Sequence, residues 1–234
     1  MRLVPPRCIF FGLVLASVTG SACGAEMNAA AINSAEPSKK TLSDTKPTPA
    51  GIGIRLQVLL DRAHFSPGEI DGKFGENAKK ALRAYEKAQQ LASSDEVGTD
   101  VWGKLASDDR PVITSYAISD IDVAGPFLRK LPTKMEAMKD LPKLAYTSAR
   151  EGLAEKFHMS EDLLSALNPG RHFDRAGETI AVIDTGADQS PEKASMVEVD
   201  KNGQTVQLFD KSNALIGFYP RRSAARRSRP PPAP

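Results

Sequence analysis

The sequence predicts a mainly α chain with a small α+β part, and three observations carry that reading. Apolar residues recur at helical spacing in two neighbouring stretches: Leu56, Leu59, Leu60 and Ala63, then Ala78, Ala81, Leu82 and Tyr85. A second helical pair follows, marked by Leu153, Phe157, Leu163, Leu164 and Leu167. Short β-branched and aromatic runs, 112–118, 179–183, 196–199, 205–209 and 215–219, supply the β part.

The chain has 234 residues, enough for one or two domains. Its hydrophobic content of 41% is ordinary and its aromatic content of 6% is low, which suggests small cores joined by solvated segments. A net charge of +2 sets up no strong field, so nucleic acid is not an expected partner. The cysteines are Cys8 and Cys23, both near the N-terminus. The body is therefore expected to lack a disulfide, a thiol nucleophile and a cysteine-based metal site.

Residues 1–25 read as a secretory signal, with Arg2 and Arg7 in a positive leader, an apolar run over 9–18, and small residues after it. That run is shorter than the roughly 20 residues a bilayer span needs. Cleavage follows Ala22 or Ala25, or Cys23 becomes the acylated first residue of a lipoprotein, the one case in which membrane attachment is expected. Each reading gives an exported protein of the periplasm or cell wall. Residues 26–50, rich in Ala, Ser, Lys, Thr and Pro without an apolar period, read as a disordered tether.

Residues 51–108 hold the first domain. Two amphipathic helices flank Ser66-Pro67-Gly68-Glu69-Ile70-Asp71-Gly72-Lys73-Phe74-Gly75. Pro67-Gly68 and Asp71-Gly72 are turn dipeptides, because Pro presets φ and Gly accepts positive φ. Ile70 and Phe74 are expected to plug the gap between the helices. Thr99 can cap a third helix, Asp100 suits its positive end, and Trp102 and Leu105 can close the core. The loop, with Leu56-Gln57, Ala81-Leu82-Arg83-Ala84-Tyr85, Val97-Gly98, Trp102 and Leu105, resembles the three-helix peptidoglycan-binding domain of bacterial cell-wall enzymes. Tyr85-Glu86 stands where that family usually carries Phe-Gln.

Residues 109–144 read as a connector, with alternation enough for a strand over 112–118, breaks at Pro126, Pro132 and Pro142, and a short helix over 133–140. In 145–186 two short helices split at Met159-Ser160, where Ser160 with Glu161-Asp162 makes a helix start. Asn168-Pro169-Gly170 ends the second helix, and 179–183 is a strand. Leu153-Ala154-Glu155-Lys156-Phe157, Leu163-Leu164, Leu167-Asn168-Pro169-Gly170 and Ala176-Gly177-Glu178-Thr179-Ile180 resemble a LysM module, the βααβ glycan binder; Arg150 and Asn168 lie in or beside these stretches as candidate contacts.

Residues 194–220 form a partial β region. Asn202-Gly203 favours a type I′ hairpin turn between the first two strands, and three strands alone bury their apolar face poorly. The order of these units, with Val-Glu-Val-Asp-Lys-Asn-Gly-Gln-Thr-Val-Gln-Leu-Phe-Asp over 197–210, resembles an L,D-transpeptidase entering its catalytic domain. Such enzymes use a cysteine in a Ser-His-Gly-Cys-like motif, yet no His follows His172 and no Cys follows Cys23. The remainder, 221–234, reads as a disordered Arg/Pro tail, and its abrupt composition is expected to mark a truncation or frame change. Its arginines suit anionic wall polymers equally well.

No catalytic residue, cofactor or metal site is expected. Acyl transfer needs a nucleophile with a base in reach, and zinc needs three or four convergent ligands; His64, His158 and His172 read as capping or surface residues. Asp71 to Gly75 lacks the alternating carboxylates of a calcium loop, so Pro67, Gly68, Asp71, Gly72, Phe74 and Gly75 read as structural. For binding, Lys73, Arg83 and Tyr85 can offer charge and a stacking face to peptidoglycan, against solvated charges for the first two and core packing for Tyr85. The expected protein is thus an exported, non-catalytic peptidoglycan binder. The alternatives are an L,D-transpeptidase-family enzyme or wall hydrolase, or a scaffold for another wall enzyme.

Overall fold

The computed structural model describes residues 27–37, 50–94, 97–129, 145–186 and 193–221. The expected signal, the helix over 133–140 and the tail beyond Arg221 lie outside them.

Helices α1 (Ala29–Asn33), α2 (Ala50–Arg62), α3 (Glu76–Ala88) and α4 (Thr99–Leu105) build the first layer. In α2, Ile52, Ile54, Leu56, Val58, Leu59 and Leu60 are all buried, more than one amphipathic face can supply. The reason is that α2 has neighbours on several sides: it packs with α1, α3 and α4. The α3 stripe Ala78, Ala81, Leu82 and Tyr85 is buried as its spacing predicts. Helix α4 begins differently from expectation. Gly98 is its N-cap, without a side-chain bond, and Thr99 has already entered the helix, so its hydroxyl donates to Asp100 instead at 3.4 Å. Trp102 and Leu105 close the core.

The expected tether over 26–50 is corrected at its start. Asn28 caps α1 by accepting from Ala30 N, and Ile32 is 2% exposed against α2. The Asn33 side chain accepts from Val112 N (2.9 Å) and Ile113 N (2.8 Å) and donates to Ile113 O (3.2 Å). Burying one isoleucine contributes roughly 2 kcal/mol. One apolar residue and one well-placed amide therefore dock a segment whose composition reads as disordered.

Strand β1 (Ile113–Ala117) pairs antiparallel with β2 (Thr179–Ile183), from Ile113 opposite Ile183 to Ala117 opposite Thr179. Between them come α5 (Asp120–Val123), α6 (Ala149–Lys156) and α7 (Glu161–Leu167). The 109–144 stretch is thus more than a connector, since it supplies the partner of β2. Ser148 and Ser160 cap α6 and α7 by accepting from Glu151 N and Leu163 N. The Arg62 side chain, 3% exposed, binds this sheet to α2 by donating to Asp184 O (2.8 Å) and Pro111 O (2.7 Å).

Strands β3 (Met196–Asp200), β4 (Thr205–Phe209) and β5 (Leu215–Pro220) form a separate antiparallel sheet in the order β3-β4-β5. Asp200 pairs with Thr205, so the link is four residues rather than an Asn-Gly pair, with Gln204 at φ 54°. The Asp200 carboxylate accepts from Asn202 N and Gly203 N and holds that wider turn. The sheet also buries more than three free strands would. β5 packs on α3, Phe218 N donates to His64 O, and Ser66 N donates to Phe218 O, both at 2.8 Å. At the other edge, Met196, Val197 and Val199 of β3 remain exposed.

Candidate functional site: the glycine loop and the clefts beside it

The loop joining α2 to α3 is fixed from below by one side chain. Gln57, 2% exposed, accepts from Asp71 N (3.2 Å) and Gly72 N (2.7 Å) and donates to Asp71 Oδ1 and Lys73 O, both at 3.1 Å. Asp71 Oδ1 also accepts from Lys73 N at 2.8 Å, an Asx turn. Gly68 and Gly72 take φ of 83° and 77°, which a side chain would strain. Gly53 explains how close the loop comes, because a Cβ there would stand 2.1 Å from Gly72 O. Pro67 is buried, Phe74 half-buried, and Gly75 is the N-cap of α3. Ile70 is fully buried, whereas Phe74 only lies against the core.

The loop is also joined to the second helical pair. Ile70 N donates to His158 O and Ser160 N donates to Ile70 O, both at 2.9 Å. His158 Nδ1 lies 2.8 Å from Asp61 Oδ2. Two clefts flank this junction. One, of about 400 Å³, is lined by Asp61, Glu69, Asn77, Glu155, His158 and Tyr219, among others. The other, of about 500 Å³, includes Glu69, Asp71, Lys73, Ser160, Glu161 and Asp162. Carboxylates outnumber cations on both sides. Such walls favour amines, amide N–H groups and hydroxyls over free carboxylates.

The sequence candidates are dispersed by the fold. Lys73 lies on the loop, its side chain 82% exposed and its ammonium 3.8 Å from Asp71. Arg83 is half-buried on α3. Tyr85 is 6% exposed and meets Phe65 edge-to-face at 5.4 Å, and burial raises its pKa. Its ring is core and offers no open face to a sugar. Arg150 and Asn168 share a third depression, of about 470 Å³, with Arg171 and His172. Arg150 pairs with Glu161 at 2.7 Å. Asn168 is spent on the fold: it donates to Leu164 O and Ala181 O and accepts from Ala181 N, tying α7 to β2. Among the described residues no group of three His, Cys, Asp or Glu side chains is placed to hold a metal ion.

Gln57, Gly53 and the Asp61–His158 pair were absent from the candidate set. Gln57 had a signal, a lone amide inside the apolar run 56–60. Asp61 and His158 had none, being 97 residues apart.

The loop is thus pinned between helices and flanked by two polar clefts. Residues 54–105 match the family model described as a putative peptidoglycan binding domain. That span is thus similar to a peptidoglycan-binding domain, which is consistent with a cell-wall-associated protein. No curated protein matches the chain. No helix among the described residues is long and apolar enough to cross a membrane.

Proposed function

We propose that this is an exported, non-catalytic protein that holds peptidoglycan through its 54–105 domain and the clefts beside the glycine loop. The family match over 54–105 is the observation that carries this reading. The acidic lining of both clefts supports amino-sugar and stem-peptide donors as the groups held. The antiparallel β1–β2 pair enclosing α6 and α7 supports a LysM-like unit, and the order of units supports kinship with the targeting part of an L,D-transpeptidase.

The test is sedimentation with purified sacculi. Wild-type protein co-sediments, and Glu69→Lys, at an exposed residue lining both clefts, reduces the bound fraction several-fold. Wild-type protein that stays in the supernatant overturns the proposal. Deleting 51–108 is a poor test, because it also removes Ile70 and Arg62, to which His158, Ser160, Pro111 and Asp184 of the rest of the fold are bonded.

A further inference from the structure

Strands β1, β2, β3 and β5 lie outermost in their sheets, and all but β3 are met on the free side by another part of the chain. Phe218 of β5 donates to His64 O and accepts from Ser66 N. Asn33 holds the Ile113 N–H and C=O of β1, and Asn168 does the same for Ala181 of β2. Among the described residues no such group reaches β3. Its pairing with β4 is unbroken from Met196 opposite Phe209 to Asp200 opposite Thr205. The strand also carries no Pro, Gly or Lys, the residues that usually blunt an edge.

The bonds of Phe218 fix which groups this open edge presents. With Phe218 turned away from β4, alternation makes Gly217 and Tyr219 face Leu208 and Val206 of β4. Gln207 and Thr205 then turn toward β3, opposite Glu198 and Asp200. The N–H and C=O of Val197 and of Val199 are left pointing outward. The side chains sort by face. Val197 and Val199, 58% and 52% exposed, extend the row begun by Leu208 and Val206. On the other face the exposed Glu198 stands opposite neutral Gln207, with Asp200 two residues on.

A second copy of the chain fits this edge badly. The register that bonds Val197 to the other Val199 in both directions sets Glu198 against its own counterpart, and like charges directly opposite are unfavourable. Centring on Val199 sets Glu198 against Asp200 twice. Centring on Val197 opposes Val199 to Ser195, whose N–H is already given to Phe209 O. Self-pairing is weak in each register.

We propose that β3 is a docking edge for an extended segment of another protein, one that alternates apolar residues with Lys or Arg. The apolar residues lie over Val197 and Val199, the cations oppose Glu198 and Asp200, and the main-chain bonds supply affinity. This edge does not rest on the peptidoglycan reading.

Fluorescence anisotropy tests it, with a labelled synthetic peptide alternating Lys and Val and a second peptide carrying Glu in place of Lys. Wild-type protein binds the Lys peptide about tenfold or more tightly than the Glu peptide. Glu198→Lys, at an exposed position, reverses that preference. Val197→Pro removes an outward N–H that β4 does not use, so it weakens the Lys peptide about tenfold and leaves the thermal melt in place. Glu69→Lys, in the acidic clefts beside the glycine loop, leaves peptide binding unchanged. Binding of neither peptide, equal affinity for both, or a preference that Glu198→Lys leaves alone overturns the docking edge. Loss of binding in Glu69→Lys alone also overturns it, since the peptide then sits in the clefts.

Discussion

Replacing Gln57 by Leu keeps the side-chain volume and removes four hydrogen bonds at once, two accepted from Asp71 N and Gly72 N and two donated to Asp71 Oδ1 and Lys73 O. At about 1 kcal/mol each, the loss is about 4 kcal/mol, reduced to about 3 by the added apolar burial. The buried Gly72 N–H has no water to turn to, which keeps the cost from falling further. Against a typical total of about 5–15 kcal/mol, this is a large fraction. With a urea slope near 2 kcal/mol/M, the unfolding midpoint falls by about 1.5 M at unchanged slope. Gln57→Glu is expected to be no better, since it sets a carboxylate about where the amide now donates to Asp71 at 3.1 Å. If both variants unfold within about 0.5 M of wild type, the loop is not held in this way, and the reasoning fails.

Gly53→Ala drives a methyl into Gly72 O, and circular dichroism is expected to show an unfolded or strongly destabilised protein; a native melt would contradict the close approach. Asn33→Ala orphans Val112 N and Ile113 N at a cost of about 2–3 kcal/mol, visible as faster hydrogen exchange at those two amides. Asp108 is held down to about 2 from 3.8, chiefly by the Arg110 side-chain hydrogen bond. A depressed folded pKa contributes stability that is whole above the unfolded value and lost as pH falls through the folded one. Asp108→Asn should therefore flatten the fall in stability between 3.8 and about 2, and urea midpoints across that window that ran parallel to wild type would disprove it. Val199→Lys on β3, where the side chain is 52% exposed, should change stability by less than about 0.5 kcal/mol while reducing concentration-dependent association in light scattering.

Local signals carried much of the fold. The α3 stripe, the Ser160 cap and the β3 to β5 runs each declare themselves within a dozen residues, and the structure has them where the spacing put them. The α2 stripe holds at Leu56, Leu59 and Leu60 but not at Ala63, which lies past the helix end at Arg62 and is half-buried. What stayed hidden is non-local. Ile113 pairs with Ile183 across an intervening helical pair, and nothing near 113 announces that partner. Helix α1 has one large apolar residue in five, too little for a periodicity, and exists because Asn33 and Ile32 meet a surface made elsewhere. The site shows the same division. The loop's turn residues were legible from Pro67-Gly68 and Asp71-Gly72, and Tyr85's burial from its place on the stripe. The clefts were not, because Glu69 meets Asn77 from α3 and Glu155 from α6 only after the two helical units dock.

The docking of α1 bears on geometry at the cell surface. Asn28, the N-cap of α1, stands five residues after Cys23 in the sequence. Five residues can reach at most about 18 Å. If Cys23 carries a lipid, the protein is moored on a short leash, and the murein it reaches is the layer next to the bilayer; if the signal is cut without acylation, no such restriction applies. Whether the purified protein partitions with membranes thus decides which depth of the wall it can sample.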